Sequence, residues 1–381
     1  MTGREKIEAA FSTEGTIRIP VVIPYEDIYI RDHWEQLTSA PWWHAFVPDI
    51  ELQMAWRKEV IESTRYEWFT LPQLCSKAER EHVRLLERPD GVFQLDLKTG
   101  KEWRLEKPRV SGWSSASIES CHPKKLPATR DEIDSMLPPA TPFDVQTFMD
   151  SGRCDLAKRM LIDFQDLFPI CHVNSPLWSC YGIWGFEGMM EMILVDPELV
   201  SYACGRHLEY SLRGVREAAA LGAMGIWIEE CLTDMISPGA FESLSVPFVR
   251  RLVEEIRRLG MKSIHYFCGN PAGKLDLLLS VGSDALAFEE GKKGFDINID
   301  EIADYVNSRC VLLGNLDAIG VLQDGSSDEL RAEIRRQLLA AKINGGRFIM
   351  SLGSPVTPDT PVEKVRLYCD LVRETCDELY G

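Results

Sequence analysis

The sequence predicts a single (β/α)8 barrel over residues 1–381, with a hairpin and loops added in its N-terminal part. A length of 381 residues suits one barrel with insertions. From residue 155 onward, apolar runs alternate with amphipathic helical stretches, which is the pattern of repeated β-α units. An open doubly wound sheet is the alternative. It is disfavoured because no Gly-rich dinucleotide-binding loop follows any predicted strand.

The N-terminal part, residues 1–150, is irregular in pattern. A short helix is expected at residues 2–11, followed by a strand at residues 18–23. Residues 83–105 alternate between polar and apolar and contain two turn signals, so they predict a hairpin. Thr129 is expected to cap a further short helix because a carboxylate follows it three residues later.

The regular part, residues 155–381, supplies six of the eight expected strands. The other two are the strand at residues 18–23 and an early strand near residues 66–70. The six strands are predicted at residues 168–173, 224–228, 263–267, 285–288, 311–313 and 348–350. The helices are predicted at residues 188–193, 198–221, 241–259, 274–279, 299–306, 327–343 and 360–379.

Composition excludes several classes of function. The net charge is −17, from 42 basic and 59 acidic residues, which argues against nucleic-acid binding and against adhesion to an acidic membrane. No apolar run is long enough to span a bilayer, and the N-terminus lacks a secretory apolar segment. The 11 cysteines are scattered and odd in number, which is typical of reduced thiols rather than a disulfide framework. We therefore expect a cytoplasmic protein.

The most informative segment follows the predicted strand at residues 263–267. It places an imidazole, a phenol, a thiol and an amide at one strand end, where α/β proteins bind ligands. Three carboxylates lie shortly upstream, so the sequence predicts a metal site. The candidate ligands are Glu229, Glu230, Glu242 and His265, with Cys268 as an alternative.

Each of these residues also has a purely structural interpretation. His265 is consistent with a hydrogen-bonded core histidine, and Cys268 with a small buried hydrophobic residue. Glu242 lies in the first turn of a predicted helix, where a carboxylate is favoured in any case. Asp317 is also consistent with a turn residue. Alternation along the strand requires one of the Glu229-Glu230 pair to face the barrel interior, where an unpaired carboxylate is costly without a cation.

Four motifs occur in order in the regular part of the chain. They are Ser237-Pro238-Gly239-Ala240-Phe241-Glu242 followed by Pro247-Phe248, Cys268-Gly269-Asn270, Gly314-Asn315-Leu316-Asp317, and Phe348-Ile349-Met350-Ser351-Leu352-Gly353 followed by Thr357-Pro358-Asp359-Thr360-Pro361. As an ordered set they resemble the uroporphyrinogen decarboxylase superfamily. The resemblance covers residues 155–381 well and implies a (β/α)8 barrel.

The decarboxylases of this superfamily carry an Arg-Gln-Ala-Gly-Arg segment that binds substrate carboxylates, and a C-terminal Gly-His-Gly. The corresponding residues 29–34 depart from the first pattern, and Leu352-Gly353-Ser354 departs from the second. Tetrapyrrole decarboxylation is therefore kept as the alternative activity. A third hypothesis is a non-catalytic barrel that binds a corrinoid protein or a small ligand.

The other branch comprises the cobamide-dependent methyltransferases, which use zinc. Their coenzyme-M type has a His-x-Cys pair and a later Cys, at positions where this chain has Tyr266, Cys268 and Ser354. The chain is more similar to methyltransferase I of anaerobic O-demethylases, which has two glutamates followed by a histidine. That resemblance implies Zn²⁺ bound by Glu229 or Glu230 together with Glu242 and His265.

The resemblance further implies methyl transfer from a methoxylated aromatic small molecule to Co(I). The corrinoid would belong to a separate partner protein because this chain has no Asp-x-His-x-x-Gly segment to bind the cobalt. Tyr266, Asn270 and Asp317 follow predicted strand ends and are expected to orient the donor or protonate its leaving oxygen. The oligomeric state stays open, a homodimer included.

Overall fold

The computed structural model describes residues 1–108, 110, 126–291 and 294–381. Its strands, in chain order, are β1 (Trp68–Thr70), β2 (Val83–Arg88), β3 (Gly91–Asp96), β4 (Glu102–Arg104), β5 (Phe168–Asn174), β6 (Gly225–Glu230), β7 (Lys262–Phe267), β8 (Ala285–Phe288), β9 (Val311–Leu313) and β10 (Phe348–Ile349). Seven of them form one parallel sheet in the order β1-β5-β6-β7-β8-β9-β10. The six strands predicted in the regular part are therefore confirmed, to within one or two residues at their ends.

A short segment, residues 20–22, hydrogen-bonds beside both outermost strands of this sheet. The N–H of Val22 donates to the carbonyl of Met350 at 2.8 Å, and the N–H of Glu67 donates to the carbonyl of Val21 at 2.9 Å. The sheet is thus curled in the manner of a TIM barrel. The strand predicted at residues 18–23 is reduced to one bridge between Val21 and Met350, since Pro20 and Pro24 lack the N–H groups that a ladder needs. The count of eight strands stays a prediction.

Helices alternate with the strands and cover the outside of the sheet. No helix in the described part of the chain combines the length and apolar character that a membrane-spanning segment needs. The α-helices are α1 (Gly3–Phe11), α2 (Glu26–Asp32), α3 (Trp34–Leu37), α4 (Ile50–Ser63), α5 (Lys77–His82), α6 (Arg130–Met136), α7 (Val145–Asp150), α8 (Asp155–Asp163), α9 (Pro176–Val195), α10 (Pro197–Leu221), α11 (Pro238–Leu244), α12 (Val246–Arg258), α13 (Leu275–Val281), α14 (Ile299–Val306), α15 (Ser327–Ile343) and α16 (Val362–Tyr380). Short 3-10 turns span Trp42–Phe46 and Thr233–Met235, and a π-helical turn spans Ala318–Gln323.

Two helices differ from their predicted form. The helix predicted at residues 241–259 is divided at Ser245 into α11 and α12, because Pro247 lacks an N–H and favours a new helix start. The helix predicted at residues 188–193 is the last part of the longer α9, which bends at Gly185 with φ 68°. The sequence underestimates α9 because it is apolar on most sides and so lacks the amphipathic period.

The predicted hairpin is present as a three-stranded antiparallel sheet in the order β2-β3-β4. It belongs to the long connection between β1 and β5, and it therefore starts from the carboxyl end of β1. Thr129 caps α6 by accepting a hydrogen bond from the N–H of Glu132 at 3.3 Å, as predicted. The carboxyl ends of the parallel strands, where the candidate site lies, are thus joined to the N-terminal additions.

Candidate active site

Alternate residues at the ends of β6 and β7 point to opposite faces of the sheet. The register pairs Glu229 with Tyr266 and Glu230 with Phe267. The ring of Trp227, two residues before Glu229, lies 6.0 Å from the ring of Trp68. Trp68 belongs to β1, which is not a neighbour of β6 in the sheet, so this contact crosses the interior. Trp227, Glu229 and Tyr266 therefore face inward.

The carboxylate of Glu229 accepts hydrogen bonds from three side chains. The Tyr25 hydroxyl lies 2.7 and 2.6 Å from its two oxygens, Trp227 Nε1 donates at 2.9 Å, and the Cys231 thiol donates at 2.8 Å. Burial, followed by the charge of Glu229, raises the pKa of Tyr25 well above its usual value. The tyrosine therefore remains a hydroxyl donor, and the carboxylate is held in one position.

Two thiols and two carboxylates continue along the strand ends, and we call Glu229, Cys231, Cys268 and Glu289 the thiol–carboxylate row. The thiol of Cys231 hydrogen-bonds with Cys268, and Cys268 Sγ donates to Glu289 Oε2 at 3.4 Å. The hydrogen bond with Cys268, then burial, then the charge of Glu229 raise the pKa of Cys231 far above its usual value. Without a cation, Cys231 is therefore a neutral thiol.

His172 is a site residue that the sequence analysis missed. It pairs in register with Trp227, and its ring lies 5.9 Å from that of Trp227 and 6.1 Å from that of Tyr25. His172 and Asn174 face inward yet reach solvent, so the mouth is open beside β5. Desolvation by the surrounding protein lowers the pKa of His172 to about 4. The available signal was alternation within β5, which places both residues on the inward face.

Tyr266, predicted to orient the donor, spans the interior of the curled sheet. Its hydroxyl donates to the carbonyl of Gly353 at 2.9 Å, and its ring stacks on that of Trp227 at 5.0 Å. Burial raises the pKa of Tyr266 well above its usual value. The ring is therefore packed inside the curled sheet, and its hydroxyl has a partner on the far side.

His265 and Glu230 lie on the outward face, beneath the helices. Glu230 accepts from the hydroxyls of Ser175 and Ser245 at 2.9 and 2.7 Å, and these serines precede α9 and α12. His265 Nε2 lies 3.4 Å from Glu230 Oε2, and both side chains are fully buried. This group is a polar contact between the sheet and its helices, separated from the row by the strands themselves.

The remaining predicted residues are not brought to the inward face either. Glu242 is exposed on α11. The side-chain oxygen of Asn270 accepts from the N–H of Ala272 at 3.0 Å, and Asp317 accepts from the N–H of Gly320 at 3.0 Å. Asn270 and Asp317 therefore shape the turns that follow β7 and β9.

The predicted zinc ligands do not fit a single ion. His265 and Glu230 are on one face, Glu229 and Cys268 on the other, and Glu242 is exposed. Within the described ranges, no three His, Cys, Asp or Glu side chains are grouped closely enough to hold a metal ion. The thiol–carboxylate row is the set whose chemistry fits zinc, because Cys and carboxylate are both zinc ligands. Its members already contact one another through protons that a bound metal replaces.

With this fold and site, the chain belongs to the uroporphyrinogen decarboxylase (URO-D) family, whose profile matches residues 166–375. It is 25% identical over 319 residues to a uroporphyrinogen decarboxylase from Thermodesulfovibrio yellowstonii, covering 81% of this chain and 87% of that protein. A second, from Solibacter usitatus, is 29% identical over 189 residues, or 50% and 52% of the two chains. A solved methyltransferase from Methanosarcina mazei superposes with a TM-score of 0.66 at 17% identity over 100% of both chains. That likeness shows a common fold and confirms the TIM-barrel-like architecture.

Proposed function

We propose that this protein is a methyltransferase that moves a methyl group from a small methoxylated aromatic donor to the Co(I) corrinoid of a partner protein. The observation that supports it most is the thiol–carboxylate row, which lies on the inward face beside packed aromatic rings and near the exposed His172 and Asn174 of β5. The fold it has in common with a methyltransferase is consistent with this activity.

The same site argues against a porphyrinogen substrate, whose many carboxylates need unpaired cations. The side chains in hydrogen-bond contact with Glu229 are a phenol, an indole and a thiol. In residues 29–34 the arginine is Arg31, which is bonded to Asp32 at 2.9 Å. His33 is buried there, between the carbonyls of Tyr29 and Thr360. Aromatic walls with little free positive charge suit a neutral or weakly charged aromatic donor instead.

In the proposed reaction the methyl C–O bond breaks, a C–Co bond forms with the electron pair of Co(I), and the departing oxygen takes a proton from solvent. His172 is an inward imidazole that reaches solvent, and its ring lies 6.1 Å from that of Tyr25. Because its pKa is lowered to about 4, the imidazole is neutral near pH 7 and can donate an N–H hydrogen bond to the departing oxygen. The ring of Tyr25, which is partly exposed beside that of His172, would contact the aromatic ring of the donor.

We further propose that Cys231, Cys268 and the carboxylate of Glu289 draw together around one Zn²⁺ when it binds, since they are not grouped closely enough to hold an ion as they stand. A zinc ion there would supply Lewis acidity to the oxygen that loses its methyl group. Because both thiols must lose protons to become ligands, zinc affinity should rise with pH. Glu229, with three donors on its carboxylate, would hold the neighbouring Cys231 in place.

Elemental analysis combined with a methyl-transfer assay tests this proposal. We expect about one zinc per chain, lost in Cys268→Ala and retained in Glu242→Gln, because Glu242 is exposed. Wild-type protein should convert a Co(I) corrinoid to methyl-Co(III), followed by absorbance, with at least one of a panel of methoxyarenes. Zinc that persists in Cys268→Ala but is lost in Glu242→Gln would contradict the proposed ligands. Carbon dioxide release from uroporphyrinogen without methyl transfer would support the decarboxylase instead.

A further inference from the structure

A second cavity lies away from the residues around Glu229. It has a volume of about 280 Å³ and is enclosed by α2, α3, α4 and the 3-10 turn Trp42–Phe46. Four aromatic side chains form its apolar wall: Trp34, Trp42, Phe46 and Trp56. The rings of Trp34 and Trp56 lie 4.9 Å apart, and those of Trp42 and Phe46 lie 6.0 Å apart. No residue of the thiol–carboxylate row, nor Tyr25 or His172, lines it.

The basic residues that line this cavity differ in how they are neutralised. Arg31 is bonded to Asp32 at 2.9 Å, and Lys107 to Glu35 at 2.6 Å. For Arg57, no carboxylate in the described part of the chain lies within ion-pairing distance; its Nη1 bonds to Gln53. Burial lowers the pKa of Arg57 to about 10, so the guanidinium is still charged at neutral pH. It is a cation held in a partly apolar site, where the nearby charges of Asp27 and Glu26 favour it without a direct ion pair to either.

A second donor at the same wall has no partner. The Trp56 side chain is 5% exposed, and its Nε1 makes no hydrogen bond within the structure. The Arg57 guanidinium lies over the Trp56 ring at 3.9 Å, so the two donors are adjacent. Both residues also line a separate, smaller cavity of about 90 Å³. A buried N–H without an acceptor is costly unless a ligand supplies one.

We propose that this cavity binds a small aromatic monocarboxylate. The carboxylate would accept hydrogen bonds from Arg57 and from Trp56 Nε1, and the ring would lie among Trp34, Trp42 and Phe46. Asp27 lines the same cavity and already offsets part of the Arg57 charge, so the site favours a ligand with no more than one negative charge. The site is independent of the proposed methyl transfer, since the two share no residue.

Calorimetric titration of the full-length protein with benzoate tests this site. Benzoate should bind, and benzamide, cyclohexanecarboxylate and phthalate should each bind more weakly, because they lack the charge, lack the aromatic ring or add a second charge. Arg57→Gln should weaken benzoate binding about tenfold or more. Trp56→Phe, which keeps the ring and removes only the N–H, should weaken it several-fold.

Lys58→Gln is the matched control, because Lys58 is the next residue of α4, carries the same charge and does not line the cavity. It should bind benzoate as wild type does. Far-UV circular dichroism of each variant separates loss of binding from loss of fold, and Trp56→Phe decides the question if Arg57→Gln unfolds. The proposal is overturned if wild type does not bind benzoate. It is also overturned if both variants bind it unchanged while Cys268→Ala does not, since the ligand then lies in the barrel mouth.

Discussion

Glu229 and Glu230 are adjacent at the end of β6, and their carboxylates lie on opposite faces of the sheet. Inside the curled sheet, Glu229 accepts hydrogen bonds from Tyr25, Trp227 and Cys231. Glu230 lies on the outer face, where it is fully buried against His265. Alternation predicted that one of the two faces inward, and the ring contacts identify Glu229 as that residue. Alternation of side chains along β6 and β7 therefore decides which residues belong to the site. The types of residue at the strand ends do not decide it.

Replacing His265 with Ala should lower the free energy of unfolding by about 2–4 kcal/mol. The change leaves a cavity on the fully buried face and removes the neighbour of the Glu230 carboxylate. Urea denaturation measures the effect. The folded variant should retain methyl transfer and bound zinc, because His265 does not face the row. Loss of zinc without a lower free energy of unfolding would indicate that His265 is a zinc ligand.

Replacing Glu229 with Gln should make the thiol of Cys231 more reactive. The hydrogen bond with Cys268, burial and the charge of Glu229 together raise the pKa of Cys231, and the substitution removes the charge. A lower pKa gives more thiolate at a given pH and faster alkylation. Mass spectrometry of iodoacetamide labelling on metal-free protein measures the rate. Glu242→Gln is the control, and equal rates in both variants would contradict the electrostatic coupling.

The sequence predicted the regular strands well because each is a short apolar run bounded by helices and turns. The bounds of β8 and β9 agree with prediction residue for residue. The metal site was less predictable, since residue types alone do not tell which face of a strand a side chain takes. His172 was missed for the same reason, as it is one imidazole within a buried strand. Tyr25 contacts Glu229 across 204 positions in sequence, and no local pattern predicts such a contact.

Gly269 should not tolerate a side chain. Its φ is +104°, and a Cβ atom there would lie 2.2 Å from Cγ of Asp234. Gly269→Ala should therefore destabilise the protein by about 1–3 kcal/mol or more and displace Cys268. Gly239→Ala is the control: it lies in α11 with nothing within 4 Å of the added atom, and should be neutral or stabilising by up to about 1 kcal/mol. Thermal unfolding of both variants measures the difference, and equal melting temperatures would contradict this prediction.

The free energy of unfolding should fall as pH rises because the buried carboxyl group of Glu26 ionises. Burial, followed by the charge of Asp27, raises the pKa of Glu26 to about 8, above its value of roughly 4.3 in an unfolded chain. The folded state therefore holds a proton between these values that the unfolded state releases. Its contribution is present at low pH and is lost as pH rises through about 8, by up to about 1.4 kcal/mol per pH unit.

Glu26→Gln should remove this dependence, because the amide oxygen still accepts the N–H of Thr70, which Glu26 accepts at 2.8 Å, and carries no proton to lose. Urea titrations of wild type and variant between about pH 5 and about pH 8 give the comparison. Parallel stability curves for the two proteins would mean that Glu26 is ionised across this range.

The neutral state of His172 should appear in the pH profile of methyl transfer. With a pKa lowered to about 4 by desolvation, the imidazole stays uncharged from about pH 8 down to about pH 6, so its titration should not lower the rate over that range. A histidine with an ordinary pKa near about 6.5 would be mostly protonated at the lower end of this pH range.

His172→Gln should reduce the rate constant of methyl transfer about 100-fold if the ring assists the departing oxygen. His207→Gln is the matched control, because the pKa of His207 is also lowered to about 4 by burial but the residue lies on α10. A wild-type rate that changes with an apparent pKa near about 6.5, and loses that dependence in His172→Gln, would show an imidazole with an ordinary pKa, contrary to the lowered value.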